Sequence, residues 1–160
     1  MSLNMSENIV VKNLATFPVG FLRINGQGEV NIPPKTSVYV DRAEVVSQVQ
    51  SRNKSFCGEN NDCAHALLYI DDKDTRVYVG FETEKTEQPV LTEDKIKEAF
   101  NIKNKAQFEK TIKNLVVTLA EKKLLVETMN ELKVNDYNKI KFVEKYTGMP
   151  VNIEDNNEDE

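Results

Sequence analysis

The chain has 160 residues, of which 39% are hydrophobic and 29% charged, and a formal net charge of −5. That length holds one fair core or two small ones, and the composition is that of a globular chain. No apolar run approaches the roughly 18 residues a membrane span needs. Residues 1–5 lack the basic-then-apolar order of a secretory signal, so synthesis in the cytoplasm and no membrane partner are expected. Met5 invites reading the first few residues as a cloning extension, and residues 1–7 as a disordered N-terminus.

Charge is unevenly spread. Residues 1–90 carry 9 Lys and Arg against 12 Asp and Glu, residues 91–150 carry 12 lysines against 9 acids, and the last ten residues hold five acids and no base. A mildly basic middle therefore sits between an acidic first half and an acidic tail.

From Asn8 to Val40 the chain reads as strands. Ile9-Val10-Val11 is a β-branched run, and Phe17, Val19 and Phe21 alternate with Pro18 and Gly20. Leu22-Arg23-Ile24 leads into Asn25-Gly26, a strong hairpin signal. Glu29 to Ile32 resumes with period two until Pro33-Pro34 stops it, and Thr36 to Val40 forms the next strand. Asp41 reads as a helix cap, with Glu44 at capping-box spacing. The short helix it starts carries Val45, Val46 and Val49 and ends near Ser51 to Asn53. After a polar loop over 54–64, Ala66 to Ile70 is an apolar strand. Asp71 to Asp74 reads as a turn and Arg76 to Phe81 as an antiparallel return. Five or six short strands with one helix imply a small sandwich or a partly open barrel over residues 8–81.

Residues 82–89, polar and closed by Pro89, have linker composition, and a linker is expected over 82–90. Beyond it the period changes to about 3.6. Thr92 caps a helix carrying Ile96 and Phe100. Asn104 caps a longer one, with Phe108, Ile112, Leu115, Val116 and Leu119 on one face. Leu125, Met129 and Leu132 mark a third helix or a continuation of the second. Asn135 caps the last, with Ile140, Val143 and Thr147 inward and Gly148 and Pro150 closing it. The expected fold class is therefore α+β, a β-rich first part followed by a helical bundle over 91–151. Residues 152–160 have the composition of a disordered acidic tail.

Cys57, Cys63 and His65, with Glu59 and Asp62 nearby, form the one cluster with metal-like chemistry. Structural zinc sites pair ligands two to four residues apart and need four; here five residues separate the cysteines and no second pair exists. A disulfide across the loop runs against a reducing cytoplasm, which leaves two unpaired thiols in or beside a surface loop as the leading reading. Cys63 and His65 would share one side of an extended strand, but a nucleophile pair also needs a group to orient the imidazole. Gly26-Gln27-Gly28 lacks the third glycine of a phosphate loop. Read as a calcium loop, Asp71 to Glu82 would put Lys73 at a ligand position and Arg76 where glycine is required. Lys95 to Leu115 has a helix–turn–helix layout with Asn101 to Asn104 as the turn. Even so, its region has only a small positive excess and no arginine follows Arg76, so a solvated lysine face is preferred to base readout. Tyr39, Tyr69 and Tyr78 fall on the expected strands, where sheet packing is their default role. No catalytic, cofactor or metal residue is assigned.

The order of features is itself informative. Val11-Lys12-Asn13 and Val19-Gly20-Phe21 precede the hairpin. Pro33-Pro34-Lys35 leads to Tyr39-Val40 and a capped helix, and Leu67 to Asp71 follows. A helical part then ends in Phe142-Val143-Glu144-Lys145-Tyr146-Thr147-Gly148-Met149-Pro150. This layout resembles small proteins encoded in the structural modules of large tailed bacteriophages. The resemblance implies a virion-associated or virion-assembly protein acting through protein–protein contacts, and it carries over no site residue. The expected function is non-enzymatic: a structural or assembly protein whose partners are other subunits, by self-association or within a virion. The alternative is a regulatory module whose helical half binds DNA or a partner helix.

Overall fold

In the computed structural model, which describes residues 3–59 and 63–151, the chain is α+β and divides into two compact units, Met1–Val90 and Leu91–Glu160.

The first unit is organised around β1 (Asn8–Asn13), whose Ile9, Val11 and Asn13 face inward while the intervening residues do not. This is the period-two burial of a strand with one covered face. It pairs antiparallel with β4 (Ser37–Asp41) on one side and β5 (Leu68–Asp71) on the other, setting Val11 opposite both Val38 and Ile70. A separate two-stranded sheet joins β2 (Val19–Leu22) to β3 (Glu29–Ile32), with Phe21 opposite Val30. The result is two small sheets, not a closed barrel. Their buried residues join Val45, Phe56 and Cys57 in one core, in which Phe21 meets Phe56 edge-on at 5.4 Å.

Buried Asn13 ties the two sheets together. Its Nδ2 donates to the carbonyls of Phe17 and Ile32 at 2.8 and 3.1 Å, and its Oδ1 accepts the Ala15 amide at 2.8 Å. The Asn25-Gly26 signal marks a six-residue loop, 23–28, and not a two-residue turn. Its tip is held from outside: Glu44 accepts the amides of Ile24 and Asn25, each at 2.8 Å.

Glu44 lies in α1 (Arg42–Gln50), which Asp41 caps by accepting the Glu44 amide. Only half of a capping box is therefore formed, because the Glu44 carboxylate is committed to the loop and to Gln48. Residues 4–7, expected as part of a disordered N-terminus, lie against the start of this helix. The Met5 and Glu7 carbonyls accept the Ala43 and Arg42 amides at 2.8 Å.

After the single turn α2 (Lys54–Cys57) and β5, the structure departs from expectation. The segment read as a return strand is instead a helix, α3 (Lys73–Tyr78), followed by Gly80 at φ 86°. Asp72 caps it by accepting the Thr75 amide, and the consecutive residues Thr75 and Arg76 are the buried ones. A strand cannot bury two neighbours on one face, whereas a turn of helix capped by aspartate can. The first unit accordingly holds three helices among its described residues, where one was expected. Residues 82–90 bring Glu82, Gln88 and Val90 into buried positions.

The second unit is helical. Its elements are α4 (Glu93–Phe100), α5 (Lys105–Leu115), α6 (Leu119–Leu132) and α7 (Tyr137–Thr147). Thr92 and Asn104 cap the first two as expected. The third is a separate helix: Thr118 and Glu121 form a reciprocal capping box that ends α5 before Leu119, leaving that residue 62% exposed and off the shared face. The last is capped by Asp136, one residue beyond the expected Asn135, and Gly148 closes it in the left-handed conformation. Ile96, Phe108, Ile112, Leu125, Met129, Ile140 and Val143 form the core. No helix among the described residues is long and apolar enough to cross a membrane.

Candidate functional site

The described residues of the clusters singled out in the sequence have definite places. Cys57 and Cys63 are both buried thiols. Cys57 Sγ lies 3.6 Å from the Val49 carbonyl and Cys63 Sγ 3.6 Å from that of Phe81, so the two side chains address different parts of the unit. Burial pushes the Cys57 thiol up against the opposing pull of Arg52, which disfavours the thiolate needed for attack or metal binding. Cys63 and His65 both have positive φ, 59° and 61°, so the extended geometry that would set them side by side is not formed. Asp62 lies outside the described residues. Among those described, no group of three His, Cys, Asp or Glu side chains is placed to hold a metal ion.

Asp71 to Asp74 runs from the end of β5 into the start of α3, and within it Asp72 and Lys73 are bonded inside the fold. Arg42, 3% exposed, donates Nη2 to Asp72 at 3.1 Å, Nε to Thr75 at 2.9 Å and Nη1 to the Asn4 carbonyl at 2.7 Å. Burial would raise the Asp72 carboxyl, but the Thr75 hydroxyl and Arg42 outweigh it and hold it below its ordinary value.

Glu82 closes a second network. Its carboxylate accepts from Lys73 Nζ at 2.8 Å, Arg76 Nε at 2.9 Å and the Gln88 amide at 3.0 Å. Arg76 also donates to the Ile70 carbonyl at 2.8 Å and stands 4.9 Å over the Tyr69 ring. Burial alone would raise the Glu82 carboxyl; hydrogen bonds from Arg76, Lys73 and the Gln88 amide reverse this and bring it down to about 2. A perturbed carboxylate can mark a reaction centre. Here Lys73 and Arg76 fasten α3 to Glu82, the Gln88 amide closes residues 82–88 on the same carboxylate, and Arg76 ties them to β5, which accounts for the shift by the packing of these elements. Of the three tyrosines, Tyr69 is half-buried under Arg76, while Tyr39 on β4 and Tyr78 on α3 are exposed.

The surface feature that gathers unlike elements lies in the second unit. A groove of about 580 Å³ runs between α5 and α7. The first helix supplies Lys105, Glu109 and Lys113, at intervals of four residues, which places them in a row. The second supplies Asn138, Lys141 and Lys145 along its rim, with Phe142 and Tyr146 beside them. All four lysines are exposed. Lys105 pairs with Glu109 at 3.9 Å, which leaves the groove net positive.

The aromatic pair is held in place. Phe142 and Tyr146 are stacked with an interplanar angle of 6° and centroids 5.8 Å apart. Tyr146 Oη donates to the Val116 carbonyl at 2.7 Å, and Phe142 packs edge-on against Phe108 at 5.9 Å. Lys113 Nζ stands 5.9 Å over Phe142 and Lys122 Nζ 5.2 Å over Tyr146. Such a contact fixes the stem of Lys113, the one of these two lysines that lines the groove. The sequence already shows a lysine-rich helical face. Lys105, Glu109 and Lys113 on one helix and Lys141 and Lys145 on another, each set at a spacing of four, are the signal that could have located the groove.

Fold and groove together define an α+β protein of two compact units whose second unit presents a cationic cleft. No protein-family model, no curated protein and no solved structure matches the chain.

Proposed function

We propose that this is a non-catalytic assembly protein that works through protein–protein contacts, and that the α5/α7 groove receives an acidic segment of a partner protein. The carrying observation is the groove itself: four exposed lysines from two helices lining it together with a fixed aromatic pair. Clustered lysines raise the local concentration of an anionic partner and speed its encounter. The buried charges of the first unit are engaged in holding elements together, which supports a binding role over a reactive one. The resemblance to virion structural-module proteins suggests a setting in particle assembly, with other subunits as partners.

A nucleic acid is the competing occupant, and the state of the aromatic pair weighs against it. Base stacking needs an open aromatic face, whereas Phe142 and Tyr146 stack on each other and lie beneath lysines.

The test is fluorescence anisotropy with a labelled oligoglutamate decamer and, separately, duplex and single-stranded oligonucleotides. The peptide should bind in a salt-sensitive way, and Lys141→Glu with Lys145→Glu should abolish binding. Peptide binding unchanged in that variant, or oligonucleotide binding tighter than peptide binding, would reject the reading.

A further inference from the structure

Resting on the acidic-segment reading of the groove, we infer that its resident occupant is the chain's own C-terminal segment, residues 152–160, bound within the same molecule as a built-in competitor. Three observations carry this. First, the charges match: residues 154–160 hold Glu154, Asp155, Glu158, Asp159 and Glu160 with no base, opposite a groove with four lysines and one glutamate.

Second, the chain is already turned back where this segment begins. Gly148, at φ 72°, ends α7, and the Val151 amide donates to Glu144 Oε2 at 3.0 Å, seven residues earlier in the sequence. Val151 is itself buried against the core of the second unit. Val151, the last described residue, is therefore held beside Glu144, which is an i, i+3 neighbour of Lys141 on α7. Third, the reach suffices. Nine residues extend up to about 30 Å, while an eleven-residue helix such as α7 is only about 16 Å long.

A tethered segment competes at an effective concentration in the millimolar range, set by its short link. With a dissociation constant of the segment for the groove on the order of 0.1 mM, that concentration would weaken the binding of a competing acidic partner about tenfold. The segment thus holds the groove closed to weak anionic contacts and yields to a partner that presents more charge or more of its own surface.

The experiment uses the full-length chain and a full-length variant with the tail neutralised (Glu154→Gln, Asp155→Asn, Glu158→Gln, Asp159→Asn and Glu160→Gln). Both are titrated with the labelled oligoglutamate decamer at low and high salt, and their solution mass is measured by light scattering at the same concentrations. The neutral-tail variant should bind the peptide about tenfold more tightly than the wild type, the difference should vanish at high salt, and both should have the same mass. Equal affinities would overturn the inference while leaving the groove reading intact. Peptide binding by the neutral-tail variant that survives Lys141→Glu with Lys145→Glu would overturn both. A wild-type oligomer that dissociates on tail neutralisation would also overturn it, because the segment would then occupy a second copy.

Discussion

At the scale of single residues, buried charge in this protein is used to join elements. Glu82 is the clearest case, as one carboxylate takes up Lys73, Arg76 and a backbone amide at distances of 2.8 to 3.0 Å. Its folded value of about 2 lies below its ordinary 4.5. The stabilisation it provides is therefore complete above about pH 4.5 and is lost as the pH falls through about 2. The difference corresponds to roughly 3 kcal/mol. Urea unfolding of the wild type should show stability falling over that window, with Glu44 and Asp72, also held below their ordinary values, adding to the slope. In Glu82→Gln the slope should flatten and stability at neutral pH should drop by about 3 kcal/mol, because Arg76 is left buried without its counter-charge. An unchanged slope would show that the Glu82 network adds nothing to the fold. Glu82 stands out in no sequence pattern. It looks like one more acid in a polar stretch, and only the approach of α3 and β5 makes it a buried partner.

At the scale of elements, caps were the legible signal and burial patterns the treacherous one. Asp41, Thr92 and Asn104 each cap the helix they were expected to cap, because capping is a local bond over two or three residues. The α3 segment reads as a strand because Val77, Val79 and Phe81 alternate as a strand would. The competing information, an aspartate at position 72 accepting the Thr75 amide, is equally local but fits a turn as well as a helix cap. The break between α5 and α6 was open in the sequence and is decided by the Thr118–Glu121 box. There Glu121 Oε1 accepts the Thr118 and Val117 amides at 3.0 and 2.8 Å. Glu121→Ala should therefore cost about 1–2 kcal/mol in the unfolding of the helical unit. Glu121→Gln, which keeps the acceptor, should recover most of it. Equal losses in the two variants would show that charge, and not the capping bonds, matters at this position.

At the scale of the whole molecule, the chain is two cores of different construction, one between small sheets and helices and one among four helices. The cationic groove lies on the outside of the second. Because its lysines are exposed, they contribute little to stability. Lys141→Glu with Lys145→Glu should accordingly shift unfolding by no more than about 1 kcal/mol while removing acidic-peptide binding. A larger loss of stability would mean that these lysines support the fold and would undercut their reading as a contact surface.

The fold class, the change of period near residue 90 and the starts of α1, α4 and α5 follow from the sequence, since each depends on neighbours within a turn or a strand. Tertiary structure alone decided the rest. It set the two cysteines facing different carbonyls, sent the Glu44 carboxylate to a loop some twenty residues away, turned Glu82 into a buried anchor and aligned the lysines of α5 with those of α7. Those outcomes depend on which elements meet in space. Burial is a collective property of the packed core, and local chain chemistry does not specify it.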